Sequence, residues 1–151
     1  MAKATLTAWS GFVGAHALAL RRIAERLKSA GVPPLDWYDV LLELDRAGGR
    51  LKIGELAERV VIAPYNMTRL LDRLEAEGLL RRERSSSDRR SAFAVLTEKG
   101  AEQRRRMWPV YERAILEVFA PLSVREAETM TRVLARVVAH LRGEKGRVGA
   151  P

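Results

Sequence analysis

Five arginines fall between Arg81 and Arg90, and they are the residues of this chain most suited to chemistry with a ligand. They belong to a stretch from Gly78 to Thr97 in which two short runs able to form strands flank a polar tip, Ser85, Ser86, Ser87, Asp88, Arg89 and Arg90. A hairpin that holds guanidinium groups out on a stalk suits a polyanion. Arginine is planar, always charged and slim enough to enter a narrow DNA minor groove. Just upstream, a helix from Pro64 towards Gly78 would place Met67, Leu70, Leu71 and Leu74 on one face. Tyr65, Asn66, Thr68, Arg69 and Arg73 would project from the others. A polar, basic and hydroxyl-bearing helix face can read base edges in a major groove. Duplex DNA is the ligand that both features fit.

Several elements must hold these groups in place. A short helix over about Gly54 to Val60, with Leu56 and Ala57 facing inward, pairs with the one starting at Pro64 in helix-turn-helix spacing. Leu51 predicts a strand of one or two residues that pairs with the hairpin. Before it, a helix starts near Asp36, a good N-cap, and ends at Gly48 and Gly49. Thr97 predicts the N-cap of a fifth helix, which Pro109 should kink or split. Ser123 and Glu126 form a capping box for a sixth. Gly143 should end it, with residues 144–151 as a frayed tail.

The two ends of the chain carry apolar seams. Leu6, Trp9, Val13, His16, Leu20, Ile23 and Leu27 recur in steps of three and four, a heptad stripe on a long helix. Ala127, Met130, Leu134, Val137 and Leu141 repeat the pattern near the other end. One chain in this order has little to bury both seams against except a second copy. We therefore expect a homodimer with an interface at Leu6, Trp9, Val13, Ile115, Met130, Leu134, Val137 and Leu141. Two-fold symmetry would then set two recognition helices in successive major grooves, about 34 to 36 Å apart. The expected fold is mainly α with a small β-hairpin wing. A winged helix-turn-helix lobe spans 35–97, flanked by N- and C-terminal dimerisation helices at 4–30 and 98–143, in a single domain over 1–151.

Composition narrows the function classes. A formal net charge of +8 favours an anionic partner. Of the 27 cationic side chains, 22 are arginine, a bias that suits bidentate contacts with phosphate and guanine. The absence of cysteine removes disulfides, thiol redox sensing and cysteine metal sites. Two histidines, His16 and His140, cannot build a zinc site without carboxylate help. We expect no metal and no cofactor. Nucleophile–base pairs and glycine-rich phosphate loops are missing, which argues against an enzyme. No apolar run approaches the roughly 18 residues of a membrane span, and no secretory signal pattern opens the chain. A cytoplasmic protein with no membrane partner is the expectation.

The middle of the chain resembles the MarR family of winged-helix transcription regulators. The resemblance rests on four motifs in order. They are Leu56-Ala57 in the first helix of the pair, Leu74-Glu75 with Gly78-Leu79 at the end of the recognition helix, Asp88-Arg89-Arg90 at the wing tip, and Leu96-Thr97-Glu98-Lys99-Gly100 leading into the next helix. It implies a dimeric regulator, in keeping with a repressor of a roughly palindromic operator. Pro64, Tyr65, Asn66, Thr68, Arg69 and Arg73 would then form the recognition surface. Arg82, Arg84, Ser86, Asp88, Arg89 and Arg90 would form the wing. Arg89 or Arg90 would enter the minor groove, and Asp88 would orient a wing arginine. Arg73, Arg82 and Arg84 would be phosphate contacts or structural ion pairs. Two positions depart from the family pattern. Val61 stands where a glycine is usual, and Ala63 where a serine or threonine caps the recognition helix.

Many relatives release DNA when a small aromatic molecule binds between the dimer helices and the DNA-binding lobe. Here Trp9, His16, Arg21, Trp37, Tyr38, Trp108 and Tyr111 are the candidate lining, and aromatic rings beside a basic residue such as Arg21 would suit an aromatic anion. Arg104, Arg105 and Arg106 read as a solvated helix face. Two alternatives stay open: a DNA-associating protein with no effector response, and a winged helix that binds RNA or protein.

Overall fold

The computed structural model describes residues 1–60, 64–87 and 91–145. Along the chain run α1 (Ala2–Ser29), α2 (Leu35–Arg46), β1 (Arg50–Lys52), α3 (Ile53–Arg59), α4 (Pro64–Ala76), β2 (Leu80–Arg84), β3 (Ala92–Leu96), α5 (Glu98–Phe119) and α6 (Val124–Lys145). The chain divides into two compact units, Met1–Ile115 and Leu116–Pro151. This is a mainly α fold with one small antiparallel sheet.

The sheet has the order β1-β3-β2. Arg50 pairs with Val95 and Lys52 with Phe93 on one side of β3, while Leu80 pairs with Leu96 and Arg84 with Ala92 on the other. The single apolar residue Leu51 was enough to signal β1. The strand runs one residue further each way because β3 offers it a free edge. Period-two alternation sends Leu51, Leu80 and Ala94 to the buried face. That face closes over Val40, Leu41, Leu44, Leu56, Leu71 and Leu74, so α2, α3, α4 and the sheet share one core.

The joint between sheet and α5 explains the Leu96 to Gly100 motif. Thr97 Oγ1 accepts the Gly100 amide at 3.0 Å, the expected N-cap, and its hydroxyl donates to the Gly78 carbonyl at 2.7 Å. Lys99 Nζ donates to the Glu77 carbonyl at 2.6 Å. Gly100 packs so tightly that a Cβ there would meet the Leu79 carbonyl oxygen, and would lie 2.8 Å from Leu96 Cδ1. Gly78 itself has φ 71°, the left-handed turn that ends α4. The motif is thus a clasp between the end of α4 and the start of α5.

Some boundaries differ from the sequence reading. α2 begins at Leu35 with Pro34 as N-cap, and Asp36 sits in the first turn, where Oδ1 accepts the Trp37 amide at 3.0 Å. α5 is one helix through Pro109 and does not split there. Proline removes one N–H, and buried Met107 and Ala114 anchor the helix on both sides of the gap. α6 runs through Gly143 to Lys145, so residues 144 and 145 are helix rather than tail. Gly143 is outside the positive-φ set that includes Gly31 and Gly78. A glycine held in helical φ weakens a helix by only about 1 kcal/mol and need not stop it. The rest of the expected tail, 146–151, lies outside the described residues. The Ser123–Glu126 box forms as expected: the Ser123 amide donates to Glu126 Oε2 at 2.8 Å, and the Ser123 hydroxyl holds the Glu126 carboxyl below its usual range.

Candidate nucleic-acid interface

α4 is two-sided in the way its sequence requires. Met67, Leu70, Leu71 and Leu74 are buried, and Asn66, Thr68, Arg69 and Arg73 are exposed. No ion pair or hydrogen bond among the described residues occupies Arg69 or Arg73. Both guanidinium groups are therefore available to a ligand. Pro64 and Tyr65 start the helix, but their side chains lie outside the described residues. So do the turn residues Val61 and Ala63.

The hairpin stands directly beside this helix. β2 and β3 pair through Arg84 and Ala92, and the Ser85 amide extends the ladder to the Ser91 carbonyl at 2.9 Å. Ser85 and Ser87 hydroxyls meet at 3.0 Å and start the turn, with Ser86 exposed between them. The tip residues Asp88, Arg89 and Arg90 lie outside the described residues.

The arginines of the wing divide by face. Arg82 turns back onto α4. Its Nε donates to Glu75 Oε2 at 2.8 Å, its Nη2 to Glu75 Oε2 and Asp72 Oδ1 at 2.6 Å each, and its amide to Glu75 Oε1 at 3.1 Å. The Glu75 side chain, and then Asp72, push the Arg82 guanidinium up, and the Arg82 bonds hold the Glu75 carboxyl down. Of the two roles expected for Arg82, the structure shows the ion pair. Arg81 points to the opposite face and pairs with Glu83. Glu83 also accepts from Arg50 Nε at 3.4 Å, and the Arg50 guanidinium lies 3.5 Å over the Phe93 ring. Arg84 is exposed and has no partner among the described residues. The ion-pairing role of Asp72 and Glu75 was missed in the sequence. Their i, i+3 spacing on α4 was legible, but not that an arginine from β2 would bridge them.

The MarR family sequence profile matches residues 30–91. The chain is 31% identical to the uncharacterized HTH-type transcriptional regulator YkoM of Bacillus subtilis over 113 residues, which is 75% of this chain and 72% of that one. It is 33% identical to the HTH-type transcriptional regulator MhqR of the same organism, over 71% of this chain and 72% of that one. This chain belongs to the MarR family. It is a winged-helix transcriptional regulator that acts on DNA, and the family is not one of enzymes. Its fold superimposes on the MarR family regulator Sco3205 of Streptomyces coelicolor, solved in complex with DNA. The TM-score is 0.80 at 28% identity, over 93% of this chain and 92% of that one.

Other residues singled out in this MarR family chain fall into separate groups. Tyr38, Trp108 and Tyr111 come together: Tyr38 meets Tyr111 edge-on at 5.0 Å and Trp108 near-parallel at 6.1 Å. Trp37 instead packs against the core of the lobe. Trp9 and His16 lie along α1 on either side of Phe12, with ring centroids 6.2 and 6.1 Å from it. Arg21 is exposed on α1; the cation–π stack found among the described residues belongs to Arg50. Arg104, expected in a solvated face, is turned inward by Asp45 at 2.7 Å, a correction that the lone sequence could not supply. Leu6, Trp9, Val13, Met130, Val137 and Leu141 are exposed, and Ile115 and Leu134 half-buried. Asp39, unnoticed in the sequence, is a half-buried carboxyl raised to about 6 by burial and by its neighbours Asp36 and Glu43. It lies close enough to Tyr111 to push that phenol up, after burial itself.

No helix among the described residues is long and apolar enough to cross a membrane.

Proposed function

We propose that this protein is a homodimeric repressor that grips a palindromic operator and releases it when a small effector binds. The observation that carries the DNA reading is the exposed, unoccupied face of α4, with Asn66, Thr68, Arg69 and Arg73, beside an arginine-bearing hairpin. Asn66 and Thr68 meet base edges, Arg69 and Arg73 meet bases or phosphates, and Arg84 meets the backbone near the wing. From the sequence, Arg89 or Arg90 reaches the flanking minor groove. The solved complex of Sco3205 with DNA supports the choice of duplex DNA over RNA or protein. The apolar residues left exposed on α1 and α6 support a second copy as the dimer partner. The winged helix-turn-helix lobe is then residues 35–97, between dimerisation helices. Tyr38, Trp108 and Tyr111 support an effector site beside the lobe. The protein works in the cytoplasm, where the chromosome is.

The test is a fluorescence-anisotropy titration with DNA from upstream of the protein's own coding region, beside a random duplex, at several salt concentrations. A preference of about a thousandfold supports a sequence-specific regulator. Equal, steeply salt-dependent binding to both duplexes would reduce it to a basic DNA-associating protein. Thr68→Ala and Asn66→Ala should erode the preference more than the affinity for random DNA. Equal loss on both would remove them from base reading.

A further inference from the structure

The aromatic triad has a carboxylate beside it, Asp39, where the sequence suggested a basic residue. Asp36, Asp39 and Glu43 recur at steps of three and four on α2, so they line one side of that helix. Tyr38 leaves α2 from the adjoining buried face and carries Trp108 and Tyr111 of α5 on its ring, and of the three carboxylates Asp39 is the one that acts on this triad, at Tyr111. Glu43 has a cation of its own, Arg46 at 3.2 Å. Asp39 has no ion pair or hydrogen bond among the described residues, although it is half-buried. The α5 cation on the face of Trp108, one turn away, is Arg104: Asp45 holds its Nη2 at 2.7 Å, while its buried Nε has no partner among the described residues. Half-buried and uncompensated carboxylate charge is costly, and a ligand cation would relieve it. Trp108 keeps 40% of its surface exposed, so part of its ring is open to a ligand.

We propose that the effector is an organic cation with an apolar or aromatic body, held with its charge between Asp39 and the faces of Trp108 and Tyr111. The proposal rests on the reading of this triad as the effector site, and it reverses the charge expected from Arg21. Cation–π attraction and a carboxylate act in the same direction on an ammonium, and in the opposite direction on a benzoate-like anion. A metal ion is a poorer fit, because no group of three or more acidic or histidine side chains among the described residues is placed to hold one.

Calorimetric titration of the full-length protein tests this with benzyltrimethylammonium and benzoate as matched probes. The cation should bind about tenfold tighter than the anion, or more. Asp39→Asn, which keeps the side-chain shape, should remove most of that preference by weakening the cation and leaving benzoate as tight as before or tighter. Trp108→Leu should weaken the cation several-fold. Benzoate binding as tightly as the cation, an unchanged preference in Asp39→Asn, or no heat from the cation at millimolar concentration would each overturn the proposal. Anisotropy with operator DNA, run in parallel, separates the two readings. Asp39-dependent cation binding that leaves operator affinity unchanged keeps the ligand class and removes release by this site.

Discussion

Two charged residues show how position, not type, decides a role. Arg82 and Arg84 are two residues apart on β2 and share a face, yet only Arg82 reaches Glu75 and Asp72. Arg82→Ala should lower stability by about 1 kcal/mol in urea unfolding, a modest value because the network is partly exposed. The salt slope of DNA binding should stay the same. Loss of a phosphate contact would instead cut the slope by about 0.9. Asp39 predicts a pH effect of definite sign. Its folded pKa of about 6 lies above its ordinary value of 3.8. Its contribution to stability is therefore full below the ordinary value and is lost as pH rises through about 6. Asp39→Asn should unfold at a higher temperature than the parent at pH 7.5, with the gain gone by pH 4. A gain that is equal at both pH values would show that Asp39 does not titrate in this range.

At the scale of elements, the lobe is held by joints as much as by its core. The clasp at Gly78, Thr97, Lys99 and Gly100 joins α4 to α5, and Arg82 joins α4 to β2. α4 is thereby fixed to both the hairpin and the helix that follows it. Gly100→Ala should force the Leu79 carbonyl or Leu96 aside and cost about 2 kcal/mol or more, read by thermal unfolding. A change below a few tenths would mean that the backbone yields easily there. Helix starts and stops came from different physics. Thr97 and the Ser123–Glu126 box act within one turn, so their residues announced them. Pro109 and Gly143 act against tertiary packing and helical continuity, so neither ends its helix.

At the scale of the molecule, a single copy leaves much apolar surface in water. Leu6 and Trp9 keep 65% and 63% of their surface, and Val137 and Leu141 keep 49% and 56%. Their heptad spacing matches helix-on-helix packing better than a lone solvated helix. Leu134→Arg should therefore shift the protein from dimer to monomer in sedimentation velocity. It should also weaken operator binding steeply, since each half-site would be held alone. An unchanged dimer would take Leu134 out of the interface.

The sequence by itself determined the elements, the two faces of α4, the Thr97 cap, the Ser123–Glu126 capping box and the family. Each depends on residues within a few positions of one another, where helical and strand periods are strict. The core followed for the same reason, since Met67, Leu70, Leu71 and Leu74 could be buried only together. What only tertiary structure decided were the pairings across elements: Arg82 with Glu75 and Asp72, Arg104 with Asp45, Gly100 against Leu79, and Asp39 beside Tyr111. Charges and rings find partners through space, and the register between α2, α4, α5 and the sheet comes from packing. That packing also sets the half-buried Asp39 beside the Tyr111 phenol.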